Sequence, residues 1–67
     1  MTYVVHVSQD RETGRYYVDS SDIPGLHVEA DTFEEFVNIV QDVAPDLLGE
    51  AAPGSEISFQ QIVTLAA

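Results

Sequence analysis

The sequence predicts an α+β fold of order β-β-β-α-β, a four-stranded sheet of strand order 3-2-1-4 with one helix packed on one face. Three observations predict it. Short runs rich in Val and Tyr flank a polar stretch ending in Gly14, and a clean alternation follows Pro24-Gly25. One long run between Phe33 and Leu48 repeats its apolar residues every three or four positions. A further alternating run follows Pro53-Gly54.

The elements justify themselves in order. Tyr3-Val4-Val5-His6-Val7-Ser8-Gln9 is β-branched and aromatic and reads as the first strand. Asp10-Arg11-Glu12-Thr13-Gly14 is a hairpin loop with Gly14 in a left-handed position. Arg15 to Ser20 is the returning strand. Ser21-Asp22-Ile23-Pro24-Gly25 breaks the pattern with a turn, and Leu26-His27-Val28-Glu29-Ala30 alternates as the third strand.

Thr32 is the expected N-cap of the helix, and Glu35, three residues on, completes a capping box. Glu34 and Glu35 lie at the positive end of the helix dipole. Phe33, Phe36, Val37, Val40, Val43, Ala44, Leu47 and Leu48 form the apolar stripe; Glu34, Glu35, Asn38, Gln41, Asp42 and Asp46 lie opposite. Pro45 removes one helical donor but falls on the polar side, where water can serve the freed Gln41 carbonyl. We expect a helix that continues to about Leu48 and ends at Gly49; the alternative is one that stops at Ala44. After the loop 50–55, Glu56 to Leu65 reads as the last strand, with Ile57, Phe59, Val63 and Leu65 on one face and Gln61 breaking the row.

Three strands meander antiparallel, and a right-handed crossover places the fourth beside and parallel to the first. The expected core is the helix stripe against Tyr3, Val5, Val7, Tyr16, Val18, Leu26, Val28 and strand four. The far face then shows Val4, His6, Tyr17, Asp19, His27 and Glu29, and Val4 with Tyr17 invites a partner to cover it.

Composition narrows the function classes. The chain has 67 residues, so one domain over 1–67 with a thin core is expected. Small cores favour oligomerisation, a dimer or tetramer. Twelve acidic residues face two basic ones, Arg11 and Arg15, for a net charge of −10, and there is no lysine. Such a surface repels phosphate backbones and anionic membranes, so neither nucleic acid nor membrane is an expected partner. A basic protein is the complementary partner, although the same charge also serves solubility. There is no cysteine, no leader-like N-terminus is visible, and no apolar run is long enough to span a bilayer. We expect a cytoplasmic protein.

No residue set marks a reaction. His6 and His27 fall on strands one and three, separated by roughly 10 Å of backbone spacing, with Tyr17 between them. They lack metal-ligand spacing and read as solvated or interface histidines. Asp10 and Glu12 lie in a loop, and Glu34, Glu35 and Asp42 lie on the outer helix face, which does not converge on a two-metal site. Asp10 to Gly14 is too short for a calcium loop and lacks its closing glutamate. Ser20 and Ser21 sit among ordinary turn formers rather than at a strained nucleophile turn. The expectation is a non-enzymatic chain without cofactor or metal; a metal-dependent nuclease is the remote alternative.

The segment Asp22-Ile23-Pro24-Gly25-Leu26-His27-Val28-Glu29-Ala30-Asp31-Thr32-Phe33-Glu34-Glu35 resembles the core of HicB-type antitoxins. It has a strand, an acidic-apolar-Pro-Gly turn, a strand, and Asp-Thr-x-x-Glu opening a helix. Over residues 3–50 the chain looks most like the short HicB-like proteins of unknown function (DUF1902-like). Those share Val-x-Val near the start, the Ile-Pro-Gly-Leu turn and an Ala-Pro-Asp-Leu-Leu-like helix end, here Ala44 to Leu48. The resemblance implies a partial, degenerate RNase H-like fold and a module that sequesters a small basic HicA-like mRNA interferase toxin. A homo-oligomer of unknown function with no toxin partner is the alternative. Pro24 and Gly25 (the turn) and Thr32 and Glu35 (the cap) carry over as structural residues. The candidate interface comprises Val4, His6, Tyr17, Asp19, His27 and Glu29 on the open sheet face and Glu34 and Asp42 on the helix.

Overall fold

Val5 and Val7 are fully buried in the computed structural model, which describes residues 1–65. They belong to the strand β1 (Thr2–Gln9), at the centre of the sheet. Around it stand β2 (Tyr16–Ser21), β3 (Glu29–Ala30) and β4 (Glu56–Gln61), in the order β3-β2-β1-β4. β1 pairs antiparallel with β2 and parallel with β4, and β2 pairs antiparallel with β3. This is the expected α+β architecture and strand order.

Alternation fixes which side chains meet the helix. Tyr3, Val5 and Val7 are buried, while Val4 and His6 are half-exposed. The parallel register sets Ile57 beside Tyr3 and Phe59 beside Val5, so both point to the helix side. The helix α1 (Phe33–Leu48) buries Phe36, Val40 and Ala44 against that floor. Phe36 stacks with Phe33 at 6.4 Å and meets Phe59 edge-on at 6.3 Å, and Tyr16 meets Phe33 edge-on at 5.7 Å. These four rings tie two strands, β2 and β4, to the first turn of the helix.

The helix ends follow the sequence. Thr32 is the N-cap, and its hydroxyl oxygen accepts the Glu35 N–H at 3.1 Å; the return bond from the Thr32 N–H to the Glu35 carboxylate is not made, so only half of the expected capping box forms. The helix runs through Pro45, which is exposed, and stops at Gly49, whose N–H donates to the Pro45 carbonyl. A short 3-10 turn, Gly49–Ala51, leads into β4.

Four details differ from expectation. Ile23 and Ile39 join the hydrophobic interior, Ile23 fully and Ile39 in part. The third strand is only Glu29–Ala30, not Leu26–Ala30. Leu26 and Val28 are buried, yet the Leu26 N–H still bonds back to Ile23, so the chain is finishing a turn where a ladder was expected. Opposite it, β2 carries a bulge: His6 faces Ser20 and Val7 faces Val18, leaving Asp19 as the extra residue. A bulge sharpens local twist, and β3 pairs only with Tyr16 and Tyr17, ahead of it.

The last strand also ends early, at Gln61 rather than Leu65. The Ile62 N–H makes one more bond, to the Val7 carbonyl at 2.8 Å. Val63 and Leu65, expected on the core face, are 73% and 87% exposed. Phe59 already lies against Phe33, the first helical residue, at 6.3 Å between ring centres. Four residues further along a strand is about 13 Å, beyond the helix start, where no layer remains to cover them.

Candidate functional site

The candidate residues lie on two surfaces in opposite layers. Glu34 and Asp42 project from the exposed side of α1, with Glu35, Asn38, Gln41 and Asp46 also exposed. The other six belong to the far side of the sheet or its margin. The register puts Val4 beside Ser58, His6 between Ser20 and Gln60, and Tyr17 between Ser8 and Glu29. That face is therefore mostly hydroxyl and amide, with Val4 half-buried and Tyr17 39% exposed. Asp19 sits exposed at the bulge.

His27 lies in the segment ahead of β3 and is exposed. With Tyr17 and Glu29 it borders a shallow concavity of about 310 Å³. His6 does not join them, because its neighbours across both ladders are Ser20 and Gln60. Among the described residues no three His, Asp or Glu side chains lie close enough together to hold a metal ion.

A larger open depression of about 680 Å³ borders the hairpin loop and the segment after β4, with Asp10, Arg11, Glu12, Tyr17 and Val63 on its rim. The Asp10 carboxylate is committed to the loop. It accepts the N–H groups of Glu12 at 2.8 Å and Thr13 at 3.1 Å, an Asx turn closed by Gly14 at a φ of 76°. Those donors, Thr13 first, favour the charged form and hold the Asp10 carboxyl below its ordinary value.

The Arg15 guanidinium is one of only two side-chain cations. Its Nε lies 3.3 Å from a carboxylate oxygen of Glu29 and 3.3 Å from one of Asp31. That Nε makes no hydrogen bond, so the contact is an attraction between charges rather than an aligned donor–acceptor pair. It ties the start of β2 to the β3–helix junction and leaves the helix acids without a basic neighbour among the described salt bridges.

Pro24 and Gly25 are exposed, but the turn they form is anchored in the core on both sides. Ile23 and Leu26 on either side of it are buried. Ser21 Oγ accepts the Ile23 N–H at 2.8 Å and donates to the Ile23 carbonyl at 3.0 Å, which fixes the bend. Gly25 has a φ of 75° and faces Leu47 of the helix. Sequence reading missed Ile23 because it sits inside a polar turn signal. Ile39 was legible, lying three residues after Phe36 and four before Val43.

This is a small one-helix, four-stranded α+β module that offers surfaces and shallow hollows. The chain belongs to the family described as "Domain of unknown function (DUF1902)", whose model matches residues 2–65. It is similar to the crystal structure of hypothetical protein TTHA1013 from the extremely thermophilic bacterium Thermus thermophilus. The identity is 30%, the match covers 100% of both chains, and the TM-score is 0.82. No curated protein matches. No helix among the described residues is long and apolar enough to cross a membrane.

Proposed function

We propose that this chain is a non-enzymatic, cytoplasmic HicB-like module of the antitoxin type, which sequesters a small basic protein of the HicA-like mRNA interferase kind. The observation that carries this reading is the charge distribution. The chain has a net charge of −10, and Arg15 is already held between two acids. Glu34, Glu35, Asp42 and Asp46 all stand exposed on one helix. Such a face attracts a basic partner over a distance and selects against acidic ones. The resemblance of Asp22 to Glu35 to HicB-type antitoxins supports the same partner.

The test is recovery of partners from the native cell at moderate salt, followed by an RNA cleavage assay on what is recovered. The expected result is a small basic protein whose RNA cleavage this chain suppresses, in a complex that loosens as salt rises. Charge reversal at Glu34 and Asp42 should weaken it. Recovery of the chain alone, or of a basic protein whose cleavage is unaffected, sinks the reading. The second reading, a homo-oligomer without a toxin, is favoured by the free edge of β4.

A further inference from the structure

The outer edge of β4 is the least defended part of the sheet. Glu56 donates its N–H to Met1 and Ile62 donates to Val7, so the even-numbered residues of β4 turn their backbone groups toward β1. Ile57, Phe59 and Gln61 therefore turn theirs outward, where the sheet order places no further strand among the described residues. Proteins blunt such edges with lysine, proline or a bulge. None of these occurs in the six residues Glu56–Gln61. From Ile57 to Leu65 nine consecutive residues carry no charge, in a chain of net charge −10. This uncharged stretch, along which two copies would not repel, begins at the edge where backbone donors and acceptors are free.

We propose that β4 pairs with β4 of a second copy of this chain, antiparallel across a two-fold axis at Phe59, joining two four-stranded sheets into one. The register follows from the outward groups. Phe59 faces Phe59 of the second copy, and Ile57 faces Gln61, exchanging roughly six backbone hydrogen bonds. An axis at Phe59 also keeps both helices on the same face of the joined sheet.

A second feature falls into place in this register. Continuing the pairing sets Val63 opposite Ser55 and Leu65 opposite Pro53, all on the helix side. There the structure has an open groove of about 270 Å³, bordered by Pro45, Leu48, Ala52, Ser55 and Ile57. Val63 and Leu65 stand largely exposed. In the dimer they reach this groove of the other copy, beside Leu48 and Ile57, and that burial adds to what strand pairing alone supplies.

The test is independent of any toxin. Light scattering on the full chain at about 100 µM, a concentration that populates micromolar complexes, should give twice the 7.3 kDa chain mass. Amide exchange should show the Ile57, Phe59 and Gln61 N–H groups protected, although they point away from β1. Gln61→Pro removes only an outward N–H, a position where an edge strand tolerates proline, and should give a folded monomer. Val63→Asp changes an exposed side chain and should weaken the dimer roughly a hundredfold or more. A monomeric wild type, fast exchange at Ile57 and Phe59, or a dimer that survives Gln61→Pro would each overturn the proposal. So would protection at this edge that arises only when a basic protein is added.

Discussion

Asp22 grips Val4 with two bonds at once. Its carboxylate accepts the Val4 N–H at 2.9 Å, and its own N–H donates to the Val4 carbonyl at 2.9 Å. The β1–β2 register ends at Val5 and Ser21, so Asp22 extends the pairing by one rung, using a side chain where the backbone has begun to turn. Asp22→Ala should lower stability by about 1 kcal/mol, and Asp22→Asn, which keeps an acceptor, should recover most of it. Thermal unfolding of both variants decides the matter; equal losses would show that an amide cannot replace the carboxylate as the acceptor.

Phe36 is fully buried beneath the aromatic cluster of Phe33 and Phe59. Phe36→Ala should cost about 3–5 kcal/mol. Chains of this size have about 3–10 kcal/mol to lose, so the variant should be largely unfolded at 37 °C by far-UV circular dichroism.

Gly25 holds a φ of 75° at the turn that seats Ile23 and Leu26 in the core. Gly25→Ala should lower the midpoint of thermal unfolding through about 1–2 kcal/mol of backbone strain. Gly25→Asn should be milder, because Asn visits the left-handed region more readily. Steric room is not the cause, since an added Cβ would stand 3.8 Å from Leu47.

The Asp10 carboxyl has its affinity for protons lowered by the Thr13 and Glu12 N–H groups. A group depressed in the folded state stabilises above its unfolded value, about 3.9, and that contribution fades as pH falls through the folded value. Comparing wild type with Asp10→Asn isolates it, because the amide accepts hydrogen bonds without titrating. The wild-type advantage should be constant from about pH 5 to 8 and disappear on acidification below about pH 4. A difference independent of pH would sink the assignment.

Strand order and helix extent were legible because each follows from a repeat. Tyr3, Val5 and Val7 alternate, and Phe36, Val40 and Ala44 recur every fourth residue. Pro45 left the helix end open in the sequence, and its exposed position explains why the helix continues. What was not legible depends on neighbours distant in sequence. Nothing local marks Asp19 as an extra residue, since a bulge exists only relative to the opposing His6 and Val7. Val63 and Leu65 keep the alternation of a strand, but sequence alone does not say that the start of the helix lies over Phe59 and leaves them beyond it. Alternation separated the two sides of β1, and of β2 as far as Val18. It could not show that Tyr17, His27 and Glu29 would gather while His6 stood apart.

The spare residue at position 19 also governs how this chain tolerates changes of length. Sidedness in a strand reverses with every residue, but at the bulge one residue of β2 has no position of its own opposite β1. Deleting Asp19 joins Val18 to Ser20 and leaves Ser20 facing His6 and Ser21 facing Val5, so the Asp22 carboxylate stays on Val4 and Ile23 stays in the interior. One lost residue is therefore absorbed at position 19, whereas a second deletion in β2 has no such slack and acts as a sign error carried into every later contact of the turn.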